Sequence, residues 1–234
     1  MDLPELSVVL PCLNEASTVA ACVEDAKAFF RQMSLSGEVV VADNGSSDGS
    51  AYEARRAGAR VIRVKRRGYG RALRAGIAAS RGRVICMGDC DRTYDLRHLQ
   101  GLYEPLAAGR CDLAIGDRFA GGIERGAMPL SHRLGVRALS ALGRWVTKTK
   151  VCDFHCGLRG LTRDAARRLS FRTTGMEFAS EMIALAAKEG LRIGQAPVPL
   201  RRCPQKERRS KLRALPDGLR HLRYLLSVKA RNHP

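Results

Sequence analysis

Short apolar runs recur along this chain at Leu6 to Leu10, Glu38 to Ala42, Arg60 to Val64, Arg83 to Met87 and Asp112 to Ile115, and segments of helical composition separate them. No other feature constrains the fold as strongly. Strands that alternate with helices of crossover length imply βαβ units, hence an α/β fold with a mostly parallel, doubly wound sheet and right-handed connections. The helical candidates in this first part are Thr18 to Arg31, Ser50 to Ala57, Gly70 to Ser80 and Leu96 to Ala108. After Phe119 the alternation gives way to a Gly-rich loop, AGGIERGAMP, then a basic amphipathic helix from about Leu130 to Trp145. The stretch CDFHCGLRGLTRDAARRL, a helix from about Phe178 to Glu189 and a short strand in LRIGQAPV complete this part. At 234 residues, one α/β domain is expected rather than two small ones.

The polar clusters sit where the strands end. VICMGDCDRTYD runs apolar through Met87 and then places Asp89 and Asp91 just past the carboxyl end of a strand, where open α/β sheets bind ligands. Two carboxylates at i and i+2 repel unless a cation, a proton or an arginine lies between them. A hard divalent ion is the usual solution when phosphates must also be held; a solvated turn with a helix N-cap is the plainer alternative. PCLNE (Pro11 to Glu15) and ADNGSSDGS (Ala42 to Ser50) end two further strands, and in a parallel sheet all three clusters converge on one rim. The first strand-to-helix turn lacks a dinucleotide glycine fingerprint, GYGRALRAG follows the third strand without the third glycine in place, and no GxxxxGK[ST] occurs. These absences argue against an NAD enzyme and a P-loop NTPase. CDFHC brings Cys152, His155 and Cys156 together, but no second Cys/His pair stands at finger spacing, so a zinc site is not expected.

The net charge of +18 predicts attraction to nucleic acid, anionic lipid or phosphorylated ligands. From Arg201 to Pro234 there are eleven Lys or Arg against Glu207 and Asp217, an excess of nine and half of the total. Tyr224 is the one aromatic there that could stack on a base, and a nucleic-acid module would leave Asp43, Asp89 and Asp91 facing phosphates repulsively. No nucleic acid partner is expected. The opening MDLPELSVVLPCLNE carries acids where a secretory signal needs basic residues, and no apolar stretch reaches the roughly 18 residues of a membrane span. Eight scattered cysteines without CxxC pairs fit a reducing cytoplasm. In LPDGLRHLRYLLSVK, Leu215, Leu219, Leu222 and Leu226 share a helical face while Arg220, Arg223 and Lys229 lie elsewhere. Such a helix either lies on an anionic membrane surface or packs on the body.

Taken in order, VVLPCLNE, VVVADNGSSDGS, GYGRALRAGIAASRG, the D-x-D of Asp89 and Asp91, GDRFAGG, DFHCGLRG, GMEFASEMI and RRSKLR resemble the family 2 glycosyltransferases of the GT-A fold. The resemblance is particularly to the polyprenyl-phosphate hexosyltransferase branch that includes dolichyl-phosphate mannose synthases, and it covers almost the whole chain. It implies a GT-A domain over residues 1–213 and a basic amphipathic helix and tail over 214–234. By this resemblance Pro11, Asn14, Glu15 and Asp43 form the nucleotide pocket, Arg71 approaches the pyrophosphate, and Asp89 and Asp91 hold Mg²⁺ or Mn²⁺ against the diphosphate. Thr93 stands where dolichyl-type relatives often have a glutamine, which leaves a third protein ligand open. Arg118 resembles the arginine that receives an acceptor phosphate, with Arg133 as a second candidate. Asp153 would orient the acceptor or serve as base for a hydroxyl, and Glu181 would be a site wall or an arginine's partner. In the basic loop ending at RRSKLR, Glu207, Arg208 and Arg209 replace the usual glycines. The implied activity is a metal-dependent, inverting transfer of a hexose from a nucleoside diphosphate sugar to a polyprenyl phosphate at the cytoplasmic face of a membrane. A soluble or protein-bound hydroxyl acceptor is the alternative, and a basic nucleic-acid-binding module the remote one.

Overall fold

The computed structural model describes residues 3–204 and 214–231. The strands are β1 (Leu6–Cys12), β2 (Gly37–Asp43), β3 (Arg60–Arg63), β4 (Val84–Met87), β5 (Leu113–Asp117), β6 (Arg159–Thr162) and β7 (Ile193–Pro197). The helices are α1 (Val19–Gln32), α2 (Ser50–Arg56), α3 (Tyr69–Ala79), α4 (Gln100–Ala107), α5 (Arg118–Gly121), α6 (Leu130–Thr147), α7 (Arg163–Arg168), α8 (Phe178–Lys188) and α9 (Ala214–Arg231). All strands form one sheet in the order β3-β2-β1-β4-β6-β5-β7. β1 pairs in parallel with β2 and β4, β2 with β3, and β5 with β7. β6 alone runs antiparallel, between β4 and β5.

Successive strand residues point to opposite faces of the sheet, so each central strand feeds two cores. Val8, Leu10, Val39 and Val41 pack with Val19, Cys22, Val23, Ala26 and Phe29 of α1 on one face. Val9 and Val40 pack with Leu73 and Ile77 of α3 and with Phe178, Met182 and Ile183 of α8 on the other. The α1 residues recur at i, i+3 and i+4, the spacing of one helical face. Fully buried side chains of this size each contribute about 1.5–3 kcal/mol, so this double-sided core fixes the sheet as a rigid base for its rim.

Two elements differ from the sequence expectation. β6 reads RGLT, with a single large apolar residue, and so carries no strand pattern. It fits because Gly160 leaves space where a Cβ would come within 2.7 Å of Leu106. α4 starts at Gln100 rather than Leu96, because Asp95 accepts the Arg97 N–H at 3.1 Å and sets a turn ahead of the helix.

α9 packs against α6 and α8. It buries Asp217, His221 and Leu225, joins Ser180 to His221 Nδ1 at 2.8 Å, and sets Lys229 over the Trp145 ring at 4.3 Å. Its other face stays outside, with Leu215 82%, Leu219 50% and Leu226 49% exposed. The expected basic loop through RRSKLR falls at 205–213, outside the described residues. No helix among the described residues is long and apolar enough to cross a membrane.

Candidate active site

Because β2, β1 and β4 are neighbours in register, with Cys12 opposite Asp43 and Val9 opposite Met87, their carboxyl ends deliver three loops to one edge. Side chains knit these loops together. Asp43, at 3% exposure, accepts the Ser46 N–H at 3.1 Å; Ser46 Oγ accepts the Asn14 N–H at 2.9 Å; Asn14 Oδ1 accepts the Ser47 N–H at 2.9 Å. Ser50 Oγ accepts the Glu15 N–H at 2.7 Å, and Asp48 accepts that of Ala16 at 3.0 Å. Asn14 holds φ 51°, a left-handed conformation that asparagine tolerates better than most residues. Gly68, at φ 150° and with the Thr174 carbonyl where a Cβ would stand, donates its N–H to Asn44 Oδ1 at 2.7 Å.

The aspartates past β4 are held from below. Tyr69 donates its hydroxyl to Asp89 Oδ1 at 3.0 Å, and Thr93 donates both its N–H (3.0 Å) and its hydroxyl (2.6 Å) to Asp91 Oδ1. Burial, reinforced by Asp89, pushes the Tyr69 phenol well above its ordinary range, so it remains a donor. Gly157 lies against Asp89: a Cβ there would come within 2.4 Å of Oδ2. Among the described residues no group of three or more His, Cys, Asp or Glu could gather around one ion. Asp89 and Asp91 are the expected metal ligands, and the Thr93 hydroxyl and N–H orient the second.

These carboxylates border a cavity of about 740 Å³. At its polar end lie Pro11, Glu15, Asn44, Asp89 and Asp91; toward α6, α8 and α9 it is walled by Leu73, Met128, Val136, Leu139, Met176 and Phe178. Arg118 reaches this wall from the end of β5, where Asp117 caps α5 by accepting the N–H groups of Phe119 and Ala120. The Arg118 guanidinium forks onto Asp153, Nε to Oδ2 at 2.6 Å and Nη2 to Oδ1 at 2.8 Å, and the N–H groups of Arg118 and His155 add bonds of 3.3 and 3.1 Å. Asp153 is 0% exposed and both its oxygens are engaged. These bonds tie it to Arg118 and to the backbone on either side.

A second buried guanidinium, Arg159 of β6, donates to the carbonyls of Cys156 (2.7 Å), Ala179 (2.7 Å) and Phe154 (2.6 Å). No carboxylate among the described residues forms an ion pair with it, and Asp153 acts on its charge only through space. His155 lies beside it, its ring 4.4 Å from that of His221 and nearly perpendicular. Burial, then the neighbouring His221, Arg159 and Arg118, drives His155 well below the usual histidine range, and burial brings His221 down to about 4.

The structure brings Pro11, Glu15, Asp89, Asp91 and Arg118 to one cavity; Asn14, Asp43 and Asp153 do not line it, but bond the neighbouring loops and Arg118. It does not bring Arg71 or Arg133 there. Arg71 bonds the Arg67 carbonyl at 2.8 Å and opens, with Arg66 and Arg74, onto a different groove, since Ala72 and Leu73 occupy the cavity side of α3. Arg133 turns to the Ile123 carbonyl at 3.3 Å while its neighbours Ser131 and His132 line the cavity. Glu181 accepts the N–H groups of Arg172 and Thr173 at 2.8 and 3.0 Å, so it caps a loop rather than walling the site or pairing with an arginine. Cys152 is exposed and Cys156 buried, each apart from any metal-like cluster among the described residues. Sequence reasoning missed Tyr69, Arg159, His221 and the place of His155 in the cavity lining. A tyrosine at a helix start and an arginine in a small-residue strand gave the only signals.

A family model described as "Glycosyl transferase family 2" matches residues 7–170. Among curated proteins, the chain is 40% identical over 224 residues to the low-salt glycan biosynthesis hexosyltransferase Agl6 of Haloferax volcanii, covering 95% of this chain and 53% of Agl6. The chain thus spans about half the length of that relative. It is 30% identical over 197 residues to a dolichyl-phosphate hexose transferase of the same organism, covering 84% of this chain and 83% of the relative. Among solved structures, glucosyl-3-phosphoglycerate synthase from Mycobacterium tuberculosis, in complex with Mn²⁺, UDP-glucose and phosphoglyceric acid, superposes with a TM-score of 0.76 at 24% identity, over 97% of this chain and 80% of that one. That likeness is one of fold, a GT-A sheet flanked by helices.

Proposed function

This chain belongs to glycosyl transferase family 2, and on that membership we propose that it is a hexosyltransferase that moves a hexose from a nucleoside diphosphate sugar to a polyprenyl phosphate with Mg²⁺ or Mn²⁺ as cofactor. The observation that carries the acceptor assignment is the state of Asp153. A hydroxyl acceptor needs a base within reach of its proton, and the carboxylate that would serve is 0% exposed and locked bidentately to Arg118. A phosphate acceptor is already an anion and needs none. It needs cationic neighbours, and the buried guanidiniums of Arg118 and Arg159 act strongly in a wall shielded from water. The apolar half of the cavity, toward α6 and α9, suits the hydrocarbon that a polyprenyl phosphate carries, and the likeness to a dolichyl-phosphate hexose transferase supports the same class of acceptor.

The donor side rests on the rim. Pro11, Glu15 and Asn44 would border the nucleoside, with Asn14 and Asp43 fixing the loops that shape its pocket. The donor set fits a hard divalent ion: two carboxylates with no soft ligand, each pinned by a hydroxyl, is the pattern of an ion bound largely through substrate phosphates. Held by Asp89 and Asp91, such an ion would neutralise charge on the departing diphosphate. The acceptor oxygen would then attack the anomeric carbon from the Arg118 side, and the nucleoside diphosphate would leave toward Asp89. Arg118 and Arg159 would oppose the repulsion between the two phosphate groups.

We place the reaction at an anionic membrane surface. The outward leucines of α9, and Leu130 and Leu134 of α6 at 71% and 61% exposure, offer exposed apolar side chains on two helices that pack together, and α9 adds the basic residues Arg220 and Arg223. All eight cysteines are unpaired thiols, which supports the cytoplasmic side. The test compares a short polyprenyl phosphate with the corresponding polyprenol across a panel of nucleotide sugars. Transfer to the phosphate and not to the alcohol is expected; preference for the alcohol, or for a soluble hydroxyl compound, would overturn the acceptor assignment.

A further inference from the structure

Several buried polar atoms among the described residues have no hydrogen-bond partner: Arg133 Nε, Glu177 Oε2 and both ring nitrogens of His155. Of these residues only His155 lines the cavity. Its place is fixed from three directions, by its own N–H on Asp153 at 3.1 Å, by the His221 ring 4.4 Å away, and by Arg159, which binds the carbonyls of Phe154 and Cys156 on either side of it. A rigidly held side chain with both polar atoms unsatisfied is a cost to the protein alone, and a bound molecule can relieve it.

The chemistry of the ring narrows what that molecule offers. Buried beside Arg118 and Arg159, the imidazole stays neutral, so it presents one N–H donor and one bare nitrogen acceptor. A phosphate oxygen only accepts and would leave one nitrogen orphaned. A hydroxyl both donates and accepts, and adjacent hydroxyls can satisfy both nitrogens. Position agrees with this. Gly157, two residues on, abuts Asp89 on the donor side, while Asp153, two residues back, holds Arg118 on the acceptor side. The group between a departing diphosphate and an attacking phosphate is the sugar. We infer that His155 is a specificity-determining residue that hydrogen-bonds hydroxyl groups of the transferred hexose. This rests on the glycosyl-transfer function proposed above.

The test uses the full chain with Mg²⁺, a short polyprenyl phosphate, whichever of UDP-glucose and GDP-mannose is turned over faster, and the monodeoxy analogues of that donor. Wild-type kcat/KM should fall about 10- to 100-fold for at least one deoxy donor, the loss expected when a buried group is left unpaired. His155→Phe, which keeps a flat ring and removes both nitrogens, should lose a similar factor with the parent donor and no longer distinguish that deoxy analogue. It should bind the free nucleoside diphosphate within about twofold of wild type, a measurement that also reports correct folding and that a general structural failure would move. His155→Gln, which keeps a donor and an acceptor, should recover part of the loss. If His155→Phe retains the wild-type ratio between parent and deoxy donors, or if wild type treats every deoxy donor like the parent, the inference is overturned. Should His155→Phe lose nucleotide binding, the deoxy series on wild type and His155→Gln decides. Wild type that turns over neither nucleotide sugar would remove the glycosyl-transfer proposal and the inference together, an outcome distinct from failure of His155 alone.

Discussion

Replacing Asp153 by Asn keeps the side chain's shape and removes its charge, and the two roles open to this residue give opposite results. In the structure the carboxylate accepts four hydrogen bonds, two from the Arg118 guanidinium, and the pair is almost wholly out of water, at 0% and 7% exposure. The variant would leave the Arg118 cation buried without a counter-charge and would turn an amide N–H toward one of its donors. Breaking one side of such a pair costs about 3–5 kcal/mol, with no reduction for solvent screening at this burial. For a domain of this size 1 kcal/mol moves Tm by about 2–4 °C, so a fall of roughly 6–20 °C is expected. Urea unfolding followed by circular dichroism should show a lower midpoint with an unchanged m value. The double variant Arg118→Met, Asp153→Leu should regain much of that stability, because it removes both charges together. If Asp153→Asn stays within about 1 kcal/mol of wild type while turnover falls 100-fold or more, Asp153 is acting as a base. The phosphate-acceptor argument would then fail.

Gly157→Ala should crowd Asp89, whose carboxylate is held by the Tyr69 hydroxyl, and weaken metal-dependent nucleoside diphosphate binding about tenfold or more by calorimetry; unchanged binding would remove Asp89 from the metal assignment. Asp91→Asn should abolish turnover with the fold intact, because the Thr93 donors still find an oxygen; unchanged turnover would remove Asp91 from the metal assignment. His221 is buried and held down to about 4 from an ordinary value near 6.5, so below pH 6.5 the unfolded chain takes up a proton that the folded chain refuses. Stability should be complete above pH 6.5 and fall as pH drops toward 4, by about 1.4 kcal/mol per pH unit from this group, and His221→Phe should flatten the slope measured by denaturation at several pH values. Leu215→Glu with Leu219→Glu should reduce flotation with anionic vesicles without lowering Tm, and salt should weaken wild-type binding in the same direction; equal flotation would dismiss the leucine edge as a docking surface.

The sheet was legible wherever one strand fed two cores. β1, β2 and β4 each carry an apolar run that burial on both faces demands, and the run ends where the polar loops begin. β6 was not legible, because it depends on packing around Gly160 and on a buried arginine satisfied by the backbone carbonyls of Phe154, Cys156 and Ala179. The same distinction runs through the site. Asp89 and Asp91 could be placed from sequence because they follow a strand directly. Arg71 and Arg133 could not, because a helix turns about 100° per residue and a neighbour's phase decides which of them faces a cavity. For α9 two readings stood open, and the structure shows the packed one: Asp217, His221 and Leu225 pack inward, while Leu215, Leu219 and Leu226 point out. Asp153 was expected at the site from sequence, but its pairing with Arg118 joins two segments 35 positions apart, and only the fold reveals it.

The most direct test of the phosphate-acceptor proposal is the mass spectrum of the product formed from a nucleotide sugar, Mg²⁺ and a short polyprenyl phosphate. The expected product is the lipid phosphate carrying one hexose on its phosphate oxygen, cleaved by mild acid, with nucleoside diphosphate released in equal amount. Hexose recovered on a hydroxyl acceptor, or as free sugar with the lipid phosphate unchanged, would contradict it.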